Sequence, residues 1–415
     1  MASPPAEVVL CADAVFTSTE RLEDGWVHVR DARIAAVGSG AVPEHDAAVV
    51  RLPPGACIAS GFIDLHVHGG GGAEVGPDPH AVADVAAFHA RHGTTGLLAT
   101  TVPAAEDALV DTVRAVAAVA RRPYAEAAQV LGCHLEGPFL SAARPGALDV
   151  RHFRAPDGAE LDRLLDAGGG SVQMIVIAPE LPGALDLIAT AAAEGVVVSI
   201  GHTDATYDEA TAGIDRGARA ATHLFNGMRP MHHREPGPAG AALATPRVTV
   251  ELIADGVHVH PAAIRLVHAA KGPDRVALVT DAMQAAGLPD GDYALGDQPI
   301  AVRGGVARTA GGSLAGSTLT MDRAVRHCVR EAGVPLVDAL RMASATPAAL
   351  LGIGSATGHI APGADADLVV LDDDLAAIGT MVGGRWAFCD PVLAAEAERA
   401  DEVNRTVRAG ARARP

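Results

Sequence analysis

Eight short apolar runs recur through the middle of the chain, most of them followed by an alanine-rich stretch of helical character. They are Gly61–His68, Thr94–Thr101, Val130–Glu136, Val172–Ala178, Val196–His202, Ala220–Phe225, Val248–Ala254 and Val276–Thr280. Short apolar runs bounded by glycine and polar breaks read as strands buried on both faces. Eight such units separated by helices predict a parallel (β/α)8 barrel rather than an open doubly wound sheet.

The two ends of the chain read differently. Glu7–Thr17, Gly25–Arg30 and Ile34–Val37 look like short strands, and so do Leu368–Leu371, Thr380–Val382 and Arg385–Phe388. β-rich ends around an α/β middle predict a small β-sandwich domain built from both termini, with boundaries at 1–60, 61–358 for the barrel, and 359–415. Gly287–Gly316 carries glycine-rich hairpin signals inside the barrel pattern, and Met321–Gly352 reads as helices that complete its outside. Residues after about 391 read as helix followed by a basic tail.

Composition narrows the function classes. The 415 residues carry 32 basic against 50 acidic side chains, a formal −18, which argues against nucleic acid or an anionic membrane as the main partner. No run approaches the ~18 apolar residues of a membrane span. Five scattered cysteines, with no CxxC pair, predict reduced thiols and a cytoplasmic setting. Lys271 is the single lysine. Any chemistry that needs a lysine therefore has one candidate.

Active sites of such barrels lie at the C-terminal ends of the strands, and these ends are rich in metal-ligand types. The first run ends in His66-Val67-His68, and a strand's period of two points both imidazoles to one side. The third ends in His134-Leu135-Glu136, the fifth in Gly201-His202-Thr203-Asp204, and the sixth holds His223 and Asn226. The seventh leads to Asp255 and His258, and the eighth ends in Thr280-Asp281. One HxH pair or one carboxylate is ordinarily a surface or capping residue. Six strand ends carrying such residues point to one site. Imidazole and carboxylate suit a divalent transition metal such as zinc, iron or manganese, and geometry rather than sequence chooses among them. An ion with an open position lowers the pKa of water toward neutrality. A carboxylate at the end of the last strand can take that proton and deliver it to a leaving amine. The chemistry expected is metal-assisted hydrolysis. His89, His92, His268 and His327 fall in helical stretches and read as packing or surface residues. His232 and His233 fall in a loop that is open to a substrate role.

The motifs Gly61-Phe-Ile-Asp-Leu-His-Val-His-Gly69, His134-Leu-Glu-Gly-Pro-Phe139, Gly201-His-Thr-Asp-Ala205, Thr222-His-Leu-Phe-Asn-Gly-Met228, Arg234-Glu-Pro-Gly237, Asp255-Gly-Val-His258, Thr280-Asp-Ala-Met283 and Gly312-Ser-Leu-Ala-Gly-Ser317 stand in this order. Together they resemble the amidohydrolase superfamily, and within it the N-acetylglucosamine-6-phosphate deacetylase family. The resemblance implies hydrolysis of N-acetylglucosamine 6-phosphate to glucosamine 6-phosphate and acetate, in amino-sugar catabolism. The alternatives are the galactosamine epimer as substrate, or a catalytically silent barrel. It further implies one or two divalent metal ions, with Glu136, His202 and His223 as main ligands and His66 and His68 as the pair for a second ion. Asp281 resembles the acid/base. Asn226, Gly227, Arg234 and His258 resemble substrate contacts, and Arg234 and His258 suit the 6-phosphate as charge-assisted donors. Ala147, Leu314, Ala315, Gly316 and Ser317 resemble segments lining the sugar site. A homodimer is implied, with the adjacent subunit completing the phosphate site.

Two positions sharpen the comparison. Many amidohydrolases bridge two metals with a carbamylated lysine on the fourth strand, but Val172–Glu180 has no lysine and Lys271 lies far from it. A bridging Glu136 fits instead. Where some members place a histidine that polarises the acetyl carbonyl, this chain has Leu148. That leaves three readings: the metal alone polarises the carbonyl, His152 reaches in, or the substrate differs.

Overall fold

A computed structural model describes residues 7–17, 20–43, 47–122, 126–395 and 399. Eight parallel strands form the central sheet: Phe62–Val67, Thr94–Thr101, Gln129–Leu135, Val172–Ile177, Val197–Ile200, Ala220–Ala221, Thr249–Ile253 and Val276–Val279. Each pairs with the next in chain order. The last strand meets the first just beyond its end. There Asp281 N donates to His66 O at 2.9 Å and Ala282 bridges Val67 in parallel. The contact that closes the barrel thus sets Asp281 beside His66. Thr94–Thr101 is buried at every position, as a strand covered on both faces requires.

All eight predicted runs form barrel strands, but the sixth is shorter than its apolar pattern predicted. Only Ala220–Ala221 is strand. His223 and Phe225 take φ of +30° and +78°, which turns the chain out of the sheet before the run ends.

The outer helices owe their positions to capping and to one apolar face. Asp78 caps Pro79–Ala90, Asp157 caps Gly158–Gly168, and Thr206 with Glu209 forms a capping box on Tyr207–Asp215. In Glu106–Ala120, Leu109, Val113 and Val116 repeat at helical spacing and are buried against the barrel. Each such side chain contributes roughly 1.5–3 kcal/mol on burial. Met321–Arg330, Leu336–Ala343 and Ala345–Leu350 are the helices predicted for the outside.

The predicted small β domain is a second eight-stranded sheet. Five strands come from Glu7–Ser60 and three from Leu368–Cys389. Leu368–Leu371 runs antiparallel to Cys57–Ser60 and stitches the two ends together. Leu10, Val27, Ile58 and Leu368 fill this unit's own core, while Cys57, Ala59, Val369 and Leu371 face the barrel's core. The hairpin signals before Gly316 form a three-stranded antiparallel sheet, Gly291–Leu295, Gln298–Arg303 and Val306–Thr309, at the barrel mouth. Residues 391–395 are helical, as predicted, and the basic tail lies outside the described residues.

Candidate active site

A cavity of about 330 Å³ opens at the C-terminal ends of the strands. His68, Glu136, His202, His223 and Asp281 line its floor. Glu136 sits at the centre. Its Oε1 lies 3.1 Å from His202 Nε2, 3.0 Å from His223 Nε2 and 3.4 Å from His66 Nε2, and its Oε2 lies 3.3 Å from His68 Nε2. Asp281 Oδ1 lies 3.2 Å from His68 Nε2 and 3.7 Å from His66 Nε2. The side chains of Glu136, His66 and His68 are at most 3% exposed. His202, His223 and Asp281 take φ of +45°, +30° and +50°. Non-glycine residues adopt this region at a cost of order 1–3 kcal/mol each, and such positions cluster at functional sites.

The donor chemistry tests whether a cation fits. His202 Nδ1 donates to Arg144 O at 3.0 Å, and His223 Nδ1 to Asn226 O at 3.1 Å. With the ring proton held on Nδ1, each Nε2 carries a lone pair. Those two nitrogens face each other at 3.1 Å and share Glu136 Oε1. His66 and His68 repeat the pattern: their Nε2 atoms are 3.2 Å apart, with Nδ1 on Glu251 Oε2 and Thr100 O. Facing lone pairs need positive charge between them. Glu136, His202 and His223 form one buried group of ligand atoms within 4.8 Å of one another, and His66, His68 and Asp281 form another. A divalent cation fits both. Protons meet part of the same demand. Burial opposes their charge, yet the carboxylates of Glu136 and Asp281 hold His66 well above its ordinary range and His68 at about 9. Burial likewise opposes the carboxylates, but His66 keeps Glu136 well below its ordinary range and, with His68, keeps Asp281 at about 2.

Residues 58–402 match the amidohydrolase family. The chain belongs to the amidohydrolase family. An N-acetylgalactosamine-6-phosphate deacetylase of Escherichia coli O157:H7 is 41% identical over 370 residues, 88% of this chain and 96% of the relative. An N-acetylglucosamine-6-phosphate deacetylase of Bacillus subtilis is 36% identical over 389 residues, 92% of this chain and 98% of the relative. A mutant N-acetyl-D-glucosamine-6-phosphate deacetylase of Mycobacterium smegmatis, solved in complex with N-acetyl-D-glucosamine-6-phosphate, superposes with a TM-score of 0.87 at 45% identity. That match covers 92% of this chain and 100% of the other. The resemblance carried by the sequence motifs is thereby borne out, and the family is metal-dependent.

Within this amidohydrolase, the six residues named as ligands or acid/base converge: five line the floor and His66 is buried against it, 3.4 Å from Glu136. Ala147, Asn226, Gly227, His258, Leu314 and Gly316 line the cavity walls. Gly227 and Gly146 both have φ near +60°, and a Cβ on either would come within 3.0 and 3.2 Å of the His202 ring, so glycine is what lets these walls approach it. Ala315 and Ser317 are buried behind the wall, where Ser317 N and Oγ donate to Asp281 O and Thr280 O at 2.7 and 2.6 Å. His258 donates Nδ1 to Asp255 at 2.7 Å. Burial works against its charge, but that carboxylate raises its pKa. Arg234 is exposed on a loop, its Nη1 donating to His233 Nε2 at 2.8 Å, and stands outside the cavity lining. Leu148 lines the wall and packs on Leu140 and Val176. His152 is engaged by Asp297 at 3.3 Å, on the turn between the first two hairpin strands, and is not part of the lining. His89 is buried and bonded to Gly69 O, and His268 pairs with Asp338, both as packing residues would.

Sequence reasoning missed three contributors. Asp64 accepts from Thr280 Oγ1 at 2.6 Å and from the backbone of His66 and Thr280, tying the first and last strand ends together. Burial, partly offset by those bonds, raises its pKa to about 7. Glu251 lies under the ligands. The signal for both was an acidic residue inside an apolar strand. Leu295 reaches the cavity from the hairpin sheet, and no local pattern in the sequence announces that.

Proposed function

We propose that this amidohydrolase hydrolyses the N-acetyl group of N-acetylglucosamine 6-phosphate to glucosamine 6-phosphate and acetate. The observation that carries this reading is the position of Asp281 against two convergent ligand groups at the bottom of one cavity. The activities for which the relatives are named support it. Glu136, His202 and His223 would hold a divalent cation, with His66 and His68 as ligands for a second; zinc is favoured over iron and manganese. When bound, the cation supplies Lewis acidity toward water and the acetyl carbonyl.

This chain's own residues do the rest. Asp281, held ionised, accepts the proton of the attacking water on its carboxylate. It returns that proton to the amine nitrogen as the C–N bond breaks. The walls at Leu148, Phe225 and Leu295 are apolar and keep bulk water from the acetyl group. His258, its charge supported by Asp255, donates to the 6-phosphate from the wall. Arg234 is the second cation proposed for the phosphate. Because its loop stands outside this cavity, we place it in a homodimer, which light scattering would test. The described helices include none long and apolar enough to cross a membrane. The five free cysteines support a cytoplasmic setting.

Acetate release decides the reading. It should require both metal and the 6-phosphate: metal-replete protein releases acetate from N-acetylglucosamine 6-phosphate, and chelator-treated protein does not. The unphosphorylated sugar should be a poor substrate. No acetate from metal-replete protein rejects the proposal. The Escherichia coli relative favours a second reading, the galactosamine epimer, and comparing kcat/KM on the two epimers separates them.

A further inference from the structure

Glu251 lies in the middle of the seventh barrel strand, Thr249–Ile253, and is fully buried beneath the candidate ligands. Its Oε2 accepts from His66 Nδ1 at 3.1 Å and from the backbone N–H of His223 at 3.2 Å. His66 belongs to one ligand group and His223 to the other, so a single carboxylate oxygen touches both. The backbone of Glu251 also accepts from Leu224 N at 2.9 Å. The residue therefore grips the turn that carries His223 at two points. A buried carboxylate costs several kcal/mol of desolvation, and a branched apolar side chain is the usual filler of a barrel layer.

A second use of this carboxylate is conceivable in chemistry but poorly served by its bonds. His66, His134 and Glu251 also bring ligand atoms within 4.8 Å of one another. However, Glu251 Oε2 and His66 Nδ1 already engage each other, and His134 Nδ1 is bonded to Leu65 O at 2.8 Å. A cation there would have to break the first of these bonds. We propose that Glu251 is instead a positioning residue for both ligand groups. It keeps the proton of His66 on Nδ1, so that the Nε2 lone pair faces the cavity, and it fixes the turn that presents His223. Outer carboxylates of this kind orient a ligand imidazole and raise its basicity.

The inference rests on the metal reading of the site, and one experiment separates the two. Metal-stripped wild type, E251Q and E251L are titrated with Co(II), followed by visible absorption and by bound cobalt per chain. Thermal melting of each stripped protein is recorded alongside. The expected result is Co(II) affinity falling from wild type through E251Q to E251L, with a loss of about 10–100-fold in E251L. An altered absorption band is expected in both variants, at unchanged stripped-protein melting for E251Q. Should E251L fail to fold, E251Q against wild type carries the test. Equal affinity and an unchanged band in every folded variant overturn the positioning role while leaving the metal reading intact. Absence of Co(II) binding by wild type overturns both. Cobalt lost in E251Q only in proportion to lost melting temperature also overturns positioning, because it marks a residue that merely supports the fold.

Discussion

The two ligand groups on the cavity floor are braced from different directions. His202 and His223 hang from turns in the left-handed region and bond the carbonyls of Arg144 and Asn226, in the segments that run into the cavity walls. His66 and His68 stand at the end of the first barrel strand and bond Glu251 and Thr100 O, inside the barrel. The imidazoles of the first group are therefore tied to the walls and those of the second to the scaffold, while the turn under His223 is also held from the scaffold by Glu251. Glu136 spans them, with Oε1 toward His202, His223 and His66 and Oε2 toward His68. The two kinds of brace set where disturbance should travel. Changes in the walls reach the first group, and changes in the strand layers reach the second and, through Glu251, the turn that carries His223.

The largest expected effect comes from Asp281, which belongs to the second group but is proposed to act on the substrate. Asp281→Asn keeps the shape and cannot take up the water's proton, so turnover should fall by about 10²–10⁴. Single-turnover acetate release with substrate binding measured in parallel checks this, and near-wild-type turnover would refute the assignment. Next comes a direct contrast between the groups. His223→Ala removes a ligand of the first group and should weaken metal binding by more than the ~10–100-fold typical of an outer partner. His68→Ala should cost one ion and leave the first group loaded. Elemental analysis after dialysis reads both, and identical metal content in the two variants would erase the distinction.

How much of this was legible in the sequence depends on the kind of contact. The strand ends were readable because a strand's period fixes direction: His66 and His68 do point to one side, and their Nε2 atoms are 3.2 Å apart. Glu136, His202, His223 and Asp281 were readable as ligand types at the place where barrels put their sites. The sixth strand was overestimated because Leu224 and Phe225 extend its apolar pattern even where φ turns positive. Asp64 and Glu251 were missed because their partners lie on strands far away in the chain, Thr280 in one case and His66 and His223 in the other. Periodicity carries no information about such pairs. The exposure of Arg234 likewise depends on how a loop leaves the barrel, and a motif match does not specify that.

A smaller effect tests the claim that the first group is tied to the walls. Asp204 accepts from Arg144 Nε at 2.8 Å and Arg229 Nη2 at 2.9 Å, clamping the segments on either side of His202. Each half-exposed pair is worth roughly 0–1 kcal/mol. Asp204→Asn should therefore raise KM by about fivefold, with a smaller change in kcat and no loss of metal. Steady-state kinetics with metal content decides it: a fall in kcat alone would place Asp204 outside the wall linkage.

The smallest effect tests the scaffold behind the second group. His89, buried in the first helix, bonds Gly69 O just past His68. Burial drives its pKa down to about 4, against a bond to Gly69 that favours charge. The unfolded chain takes up this proton near 6.5, so between 6.5 and 4 the unfolded state binds more protons than the native one. The stabilisation is complete above about pH 6.5 and is lost as pH falls toward 4. One such group removes on the order of 1 kcal/mol between pH 7.5 and pH 6. His89→Gln lacks the titration, so its urea midpoint, measured in chelator, should fall less than that of wild type over this interval. An equal fall in both proteins would mean that His89 titrates normally and that the backbone past His68 is not braced by a neutral imidazole.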